Sequence, residues 1–123
     1  MREIKFKAIR KSDNKVFEVM SLGIAEEEIM SWDEEESNIL YIPFDEIELM
    51  QCTGIKDKNG VEIYEGDIVK YNDAGGETHT RVIKYDDEMG AFCCDRGACV
   101  DYFTCMWEIE VLGNIYENPE LLQ

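Results

Sequence analysis

The chain has 123 residues, with 28 acidic and 12 basic side chains and a formal net charge of −16. A surface of this sign repels nucleic-acid phosphates, which excludes direct binding of DNA or RNA as the expected function. The apolar fraction of 45% and the aromatic fraction of 11% favour a packed globule over a disordered chain.

The cysteine content and the absence of long apolar runs indicate the compartment. Five cysteines are an odd number, and Cys93 is adjacent to Cys94, which is not the pattern of a disulfide framework. No apolar run reaches the length of a signal-peptide core or a membrane span. We therefore expect a reduced, soluble, cytoplasmic protein that does not contact a membrane.

The N-terminal part is predicted to form strands. Residues 1–10 and 16–20 alternate between apolar and polar side chains, and the polar cluster between them predicts a hairpin. Residues 39–42 are apolar and are predicted to form a buried strand, with Pro43 at its end or at an edge position.

Between these strands lies an acidic loop, residues 24–38. Ala25, Ile29 and Trp32 have a helix-like spacing, which predicts a short helical turn inside the loop. Short helices are marginal without tertiary support, so the prediction is limited to one turn.

This acidic segment is the candidate partner-binding site. Between Val16 and Ile55 there are eleven Asp and Glu residues and neither Lys nor Arg. In one interpretation the acids are solvated and the few apolar side chains pack onto the domain. In the other, Trp32 anchors a basic partner that the acids attract. The candidate residues are Glu26, Glu27, Glu28, Trp32, Asp33, Glu34, Glu35 and Glu36.

Residues 50–71 contain the densest turn signals in the chain. Gly54, Gly60 and Gly66 recur at six-residue intervals, each where a chain reversal needs a residue that tolerates positive φ. Asp57 and Gly60 occupy the first and fourth positions of a predicted type I turn. The stretch is therefore predicted to be a turn-rich β corner.

Short strands separated by turns continue to the C-terminus. Their spacing favours a small barrel or sandwich, and the segment that begins at Glu65 resembles the opening strand of SH3-like barrels. Asn118 followed by Pro119 is an N-cap and first-turn pair, which predicts a short helical turn over residues 119–122.

These elements predict a mainly β fold with a little α in a single domain, residues 1–123. Its N-terminal β-hairpin or sheet region spans residues 1–60 and includes the acidic loop. A C-terminal SH3-like small barrel spans residues 61–117, and a short C-terminal helical turn follows.

Two segments resemble a known family. Residues 50–71, together with the tail of residues 110–122, E-V-L-G-N-I-Y-E-N-P-E-L-L, resemble the hallmark and the C-terminal signature of the YopX-like proteins of phages and prophages. The resemblance implies a homo-oligomer, with a trimer as the candidate stoichiometry, in the host bacterial cytoplasm. It implies no particular biochemical activity. Independently, the edge strands of a small β domain must be covered or charged, and self-association covers them.

The motif residues have two interpretations. Some are compatible with a ligand groove, but the density of turn signals favours side chains that satisfy backbone groups at sharp turns. The motif residues are Gln51, Thr53, Gly54, Asp57, Gly60, Tyr64, Glu65, Gly66, Asp67, Gly113, Asn114, Tyr116 and Pro119.

His79 and four cysteines, Cys93, Cys94, Cys99 and Cys105, are candidate metal ligands. Structural zinc sites use paired ligands two to four residues apart, whereas Cys93 and Cys94 would point to opposite faces of a strand. We interpret the cysteines as small core hydrophobes and expect neither a metal nor a cofactor. His79 has no catalytic partner that the sequence assigns, so no catalytic residue and no enzymatic activity are predicted.

Three functions stay open. The favoured one is an oligomeric protein-binding or assembly module. The second is an acidic DNA mimic that inhibits a basic host nucleic-acid-binding protein by presenting carboxylates in place of phosphates. The third is a small metal-binding protein or enzyme.

Overall fold

The structure is a computed structural model that describes residues 4–97 and 100–122. Of these residues 59% are in strands and 9% are helical, all in short 3₁₀ turns, which confirms the prediction of a mainly β fold. In this part of the chain no helix is long and apolar enough to cross a lipid bilayer. The strands are β1 (Phe6–Arg10), β2 (Val16–Gly23), β3 (Glu28–Asp33), β4 (Asn38–Pro43), β5 (Ile47–Lys56), β6 (Glu62–Tyr64), β7 (Asp67–Asn72), β8 (Thr78–Asp86), β9 (Ala91–Asp95), β10 (Val100–Tyr102) and β11 (Trp107–Asn114), and the 3₁₀ turns are Phe44–Glu46, Phe103–Cys105 and Pro119–Leu122.

The described chain divides into two compact units, one ending at Gln51 and one beginning at Cys52. The sequence placed the boundary between its two predicted regions later, after residue 60. In the first unit the strands are antiparallel in the order β4-β3-β2-β1-β5. The predicted hairpin of β1 and β2 is confirmed. The core of this unit consists of Ala8, Phe17, Ile29, Ile42 and Ile47.

The prediction of a helical turn inside an acidic loop is wrong, because β3 occupies the middle of that segment. Its inward-facing residues are Ile29, Ser31 and Asp33, all buried. Two of these three are polar, so the period-two pattern of a strand is hidden in the sequence. Ser31 is accommodated because its hydroxyl donates a hydrogen bond of 2.6 Å to the backbone oxygen of Glu18.

In the second unit the end of β5 pairs with β6, and five further strands form an antiparallel sheet in the order β10-β9-β8-β7-β11. Among the described strands, β10 and β11 are the edges of this sheet, so the SH3-like small barrel that the sequence predicted for this region is not closed. Closure requires pairing between the first and last strands, which these two do not make with each other. The core of this unit consists of Ile63, Val69, Tyr71, Ile83, Cys94 and Met106.

The glycines of the central corner have the predicted positive φ. The values are 83° at Gly54, 83° at Gly60 and 90° at Gly66. The backbone N–H of Gly60 donates a hydrogen bond of 3.0 Å to the backbone oxygen of Asp57, which closes the predicted turn. Gly54 instead lies within β5, at a bulge where the register with β6 shifts. The predicted helical turn at the C-terminus is also present, as the 3₁₀ turn Pro119–Leu122.

Candidate partner-binding face

The outer surface of the β2-β3-β4 ribbon carries exposed apolar side chains. Trp32 lies directly opposite Ile39, and Met30 lies directly opposite Tyr41. Trp32 is 48% exposed and Tyr41 62% exposed, although both belong to strands whose other face is in the core. Successive side chains of a strand point to opposite faces, so these two cross-strand pairs lie on one surface. Met20 of β2, also exposed, lies at a bulge next to them. We call Met20, Met30, Trp32, Ile39 and Tyr41 the apolar strip.

An acidic turn lies at each end of this strip. The turn between β2 and β3 contains the exposed Glu26 and Glu27, and the turn between β3 and β4 contains the exposed Glu34, Glu35 and Glu36. The strip and these two turns together form what we call the acidic-apolar face. Two of the predicted partner-binding residues are less accessible than the rest: Glu28, at the start of β3, is half-buried, and Asp33 is buried.

Asp33 holds the second acidic turn in place. Its Oδ1 accepts hydrogen bonds from the backbone N–H groups of Glu35 at 3.0 Å and Glu36 at 3.4 Å, and Lys15 Nζ lies 3.2 Å away. Burial works against the charged form, but Lys15 and the two N–H groups hold the pKa of Asp33 below its usual value. Asp33 therefore supports the turn from a buried position, and it also lines the groove beside Trp32.

A groove of about 340 Å³ opens beside Trp32. Its lining includes Phe17, Met20 and Trp32 as apolar surface and Glu34 and Glu35 as acidic surface. Lys15 also lines it, but its ammonium is 3.2 Å from Glu35 Oε2 as well as from Asp33, so its charge is matched within the protein. The groove therefore combines a flat aromatic wall with carboxylates at its rim.

Several of the polar motif residues, among them Thr53, Asp67 and Asn114, bond to backbone groups. Thr53 Oγ1 donates a hydrogen bond of 2.8 Å to the backbone oxygen of Ile63, and Asp67 Oδ2 accepts one of 2.7 Å from the N–H of Tyr64. Asn114 Oδ1 accepts hydrogen bonds from the N–H groups of Tyr116 and Glu117 at 3.0 and 2.8 Å. These contacts fix turns and leave the side chains directed at the protein's own backbone.

The comparisons with known proteins identify the family. The family model described as YopX protein matches residues 5–123, which is nearly the whole chain. The chain belongs to the YopX family. It is also similar to the crystal structure of protein EF1440 from Enterococcus faecalis, at 30% identity, a TM-score of 0.69 and full coverage of both chains. A search of curated proteins gave no significant match.

The cysteines of this YopX-family chain are mostly core residues. Cys52, Cys93 and Cys94 are buried, as predicted for small hydrophobes, whereas Cys105 is exposed. Burial raises the pKa of Cys94 to about 12, which keeps the free thiol protonated at neutral pH. The remaining candidate, Cys99, lies outside the described residues.

The sequence missed most of the apolar strip in this YopX-family chain. It singled out Trp32 but assigned residues 39–42 to a buried strand, whereas β4 is an edge strand in which only Ile42 is buried. The signal was ambiguous because Ile39, Leu40, Tyr41 and Ile42 are all apolar, so alternation did not reveal which face is outside. Pro43 at the strand end was the available indication of an edge.

Proposed function

We propose that the protein is a non-enzymatic, protein-binding module, and that its acidic-apolar face binds a basic protein. The observation that carries the proposal is the position of the apolar strip, exposed between two acidic turns on one surface of the first unit. The phage or prophage origin and the bacterial cytoplasmic location that the family resemblance implies are part of this proposal.

The apolar strip has the character of an interface core. Single exposed apolar side chains are ordinary on protein surfaces, but here two cross-strand pairs and Met20 are contiguous. Aromatic residues and Met are enriched at the cores of protein–protein interfaces, and Trp and Tyr are the usual anchors. Trp32 and Tyr41 are therefore the residues from which a partner would gain most.

The charge around the strip selects a basic partner. No Lys or Arg lies between Val16 and Ile55, so the two acidic turns have no positive neighbour within their own segment. Carboxylates at an interface rim attract a basic partner from a distance and increase the rate of association. A second copy of the same chain would bring a second set of carboxylates to the same place, and like charges facing each other oppose that contact.

A DNA mimic is the competing function. It would use the same acids as substitutes for phosphates, but it has no need of an exposed aromatic anchor between them. The two hypotheses therefore differ in their dependence on Trp32. Binding that requires both Trp32 and the acids favours the interface, whereas binding that requires the acids alone favours the mimic.

Self-association remains a separate prediction of the assembly function. Among the described strands, β10 and β11 are edges of the sheet in the second unit, and pairing with another chain is one way to cover such an edge. Size-exclusion chromatography with light scattering measures the stoichiometry. A homo-oligomer, for which a trimer is the candidate, is expected, and a monomer at high concentration would remove this part of the proposal.

The charge requirement is tested by affinity capture from bacterial lysate at low salt. The variant Glu34→Gln/Glu35→Gln/Glu36→Gln neutralises one acidic turn, and Asp87→Asn/Glu88→Gln neutralises exposed acids of the turn between β8 and β9 as a matched control. We expect the wild type and the control to capture the same basic protein at low salt. The triple variant should fail to capture it, and high salt should elute it from the wild type. Capture that is equal in all three proteins would contradict the proposal.

A further inference from the structure

A cluster of ionisable side chains in the second unit shares no residue with the acidic-apolar face. It is built on the hairpin between β7 and β8, where Asp73, Glu77 and His79 bring ligand-type atoms within 4.8 Å of one another. His79 Nε2 is 2.7 Å from Asp73 Oδ2. The side chains of His79 and Asp73 are about nine-tenths buried, whereas Glu77 is exposed.

The fold holds Asp73 in an orientation suited to a ligand. Its Oδ1 accepts hydrogen bonds from the backbone N–H groups of Gly75 at 2.9 Å and Glu77 at 3.0 Å, which closes the hairpin. Its Oδ2 is thereby directed at the imidazole of His79. The His79 ring also packs against the Tyr71 ring, with centroids 5.4 Å apart, so both partners are positioned by the surrounding structure.

The charge of the cluster favours a divalent cation. Arg96 is paired with Asp101 through Nε at 2.7 Å, and its Nη1 lies 3.3 Å from His79 Nε2 and 3.7 Å from Asp73 Oδ2, beside both proposed ligand atoms. Asp73, Glu77, Asp101 and Arg96 together carry two negative formal charges when His79 is neutral. A divalent cation would balance them. Arg96 is the group with which the cation competes, and its bond to Asp101 gives it a second anchor.

We propose that Asp73, Glu77 and His79 form a binding site for a first-row divalent metal ion. Two carboxylate oxygens and one imidazole nitrogen suit zinc, manganese, iron or cobalt, with water in the remaining positions. Two ligand atoms each about 2.1 Å from one tetrahedral ion stand about 3.4 Å apart, so the 2.7 Å pair must open slightly and the exposed Glu77 must swing inward. To bind the ion through Nε2, the neutral His79 ring must carry its proton on Nδ1.

The notable feature is that the cysteines take no part. The sequence offered His79 and four cysteines as candidate ligands, with spacing against the cysteines, and the proposed site uses oxygen and imidazole ligands from one hairpin. A metal probe must therefore distinguish the two ligand types. Co²⁺ does so, because thiolate ligation gives an intense near-ultraviolet charge-transfer band that oxygen and nitrogen ligands do not give.

The test is titration of the full chain with Co²⁺, followed by absorption spectroscopy and calorimetry. We expect one equivalent to bind without a thiolate band. Asp73→Asn keeps an acceptor for the hairpin N–H groups but removes the ligand charge, and it should weaken binding at least about tenfold, as should His79→Gln. Glu88→Gln, in the turn at the other end of β8, is the matched control and should leave the affinity unchanged.

Glu77→Gln keeps the test decisive if a buried variant fails to fold. Glu77 is exposed, so this variant should keep the wild-type melting temperature of the metal-free protein while still binding Co²⁺ more weakly. Three results would overturn the proposal: no binding to the wild type, wild-type affinity in Asp73→Asn and His79→Gln, or a thiolate band in the bound state.

Discussion

The carboxylate of Asp57 accepts a hydrogen bond of 2.9 Å from the backbone N–H of Val111, which lies 54 positions away in the sequence. Through its other oxygen, Asp57 accepts hydrogen bonds from the N–H groups of Asn59 and Val61, each at 2.9 Å. One buried side chain therefore fixes the turn of the central corner and ties that turn to strand β11. The corner is thereby joined to β11 within the second unit.

Replacement of Asp57 by Ala should be strongly destabilising. The change removes three hydrogen bonds to a buried carboxylate and leaves three backbone N–H groups without this acceptor, so we expect a loss of about 3 kcal/mol in the free energy of unfolding. Urea denaturation followed by circular dichroism measures it. Asp87→Ala, at an exposed turn position, is the control and should change stability by less than about 0.5 kcal/mol. Equal effects of the two substitutions would refute the role given to Asp57.

The same carboxylate should make stability depend on pH in the acid range. Burial raises the pKa of Asp57, but the N–H groups of Val111, Val61 and Asn59 lower it further, and the net pKa is below the usual 3.8. The folded state thus favours the ionised form. Its contribution is present above pH 3.8 and is lost as the pH falls from there through the folded-state pKa.

The measurement is the unfolding free energy of the wild type and of Asp57→Asn between about pH 6 and about pH 2. Other carboxylates titrate in both proteins, so the difference between the two curves isolates Asp57. We expect that difference to be constant above pH 3.8 and to shrink below it. A difference that stays the same down to the lowest pH would show that Asp57 is not stabilised as an anion.

Gly113 of the C-terminal signature should tolerate no side chain while Asn118 is present. A Cβ at position 113 would overlap the side chain of Asn118, whose Oδ1 accepts a hydrogen bond of 3.3 Å from the N–H of Asn114. Gly113→Ala should therefore cost about 1–3 kcal/mol in thermal or urea unfolding. In an Asn118→Gly background the clashing atoms are gone, and the same substitution should cost at least about 1 kcal/mol less. If Gly113→Ala costs the same in both backgrounds, contact with Asn118 is excluded as the cause of the destabilisation.

Ser31 should matter to the first unit although its neighbours on β3 are apolar. It is fully buried, and its hydroxyl satisfies the backbone oxygen of Glu18. Ser31→Ala should cost about 1 kcal/mol of unfolding free energy, because it leaves that oxygen without its side-chain donor. Ser21→Ala, at an exposed position of β2, is the comparison. A larger loss at Ser21 than at Ser31 would count against this role.

The parts of the fold that the sequence predicted are those set by local chemistry. Gly54, Gly60 and Gly66 require positive φ, and Asp57 belongs in a turn, whatever the rest of the chain does. The type of turn at Gly60 and the helical turn after Asn118 were therefore predictable. The bulge at Gly54 was not, because a positive φ is compatible with both a turn and a bulge.

The parts that could not be predicted depend on contacts between strands. The strand character of β3 was hidden because Ser31 and Asp33, which face inward, are buried by bonds to Glu18 and Lys15. Openness of the second sheet depends on whether its edges pair, which no local pattern specifies. The partner of His79 is likewise set by a hairpin that places Asp73 beside it.

The central claim is that the acidic-apolar face binds a basic protein, and the two tryptophans offer the most direct test. Trp32 is 48% exposed on that face and Trp107 is 50% exposed on β11, so they are matched in accessibility. The measurement is the dissociation constant of the captured basic protein for wild type, Trp32→Ser and Trp107→Ser by calorimetry. Loss of an anchor costs about 2 kcal/mol or more, so Trp32→Ser should bind at least about thirtyfold more weakly, and Trp107→Ser should match the wild type. Equal affinity of Trp32→Ser and wild type would contradict the claim.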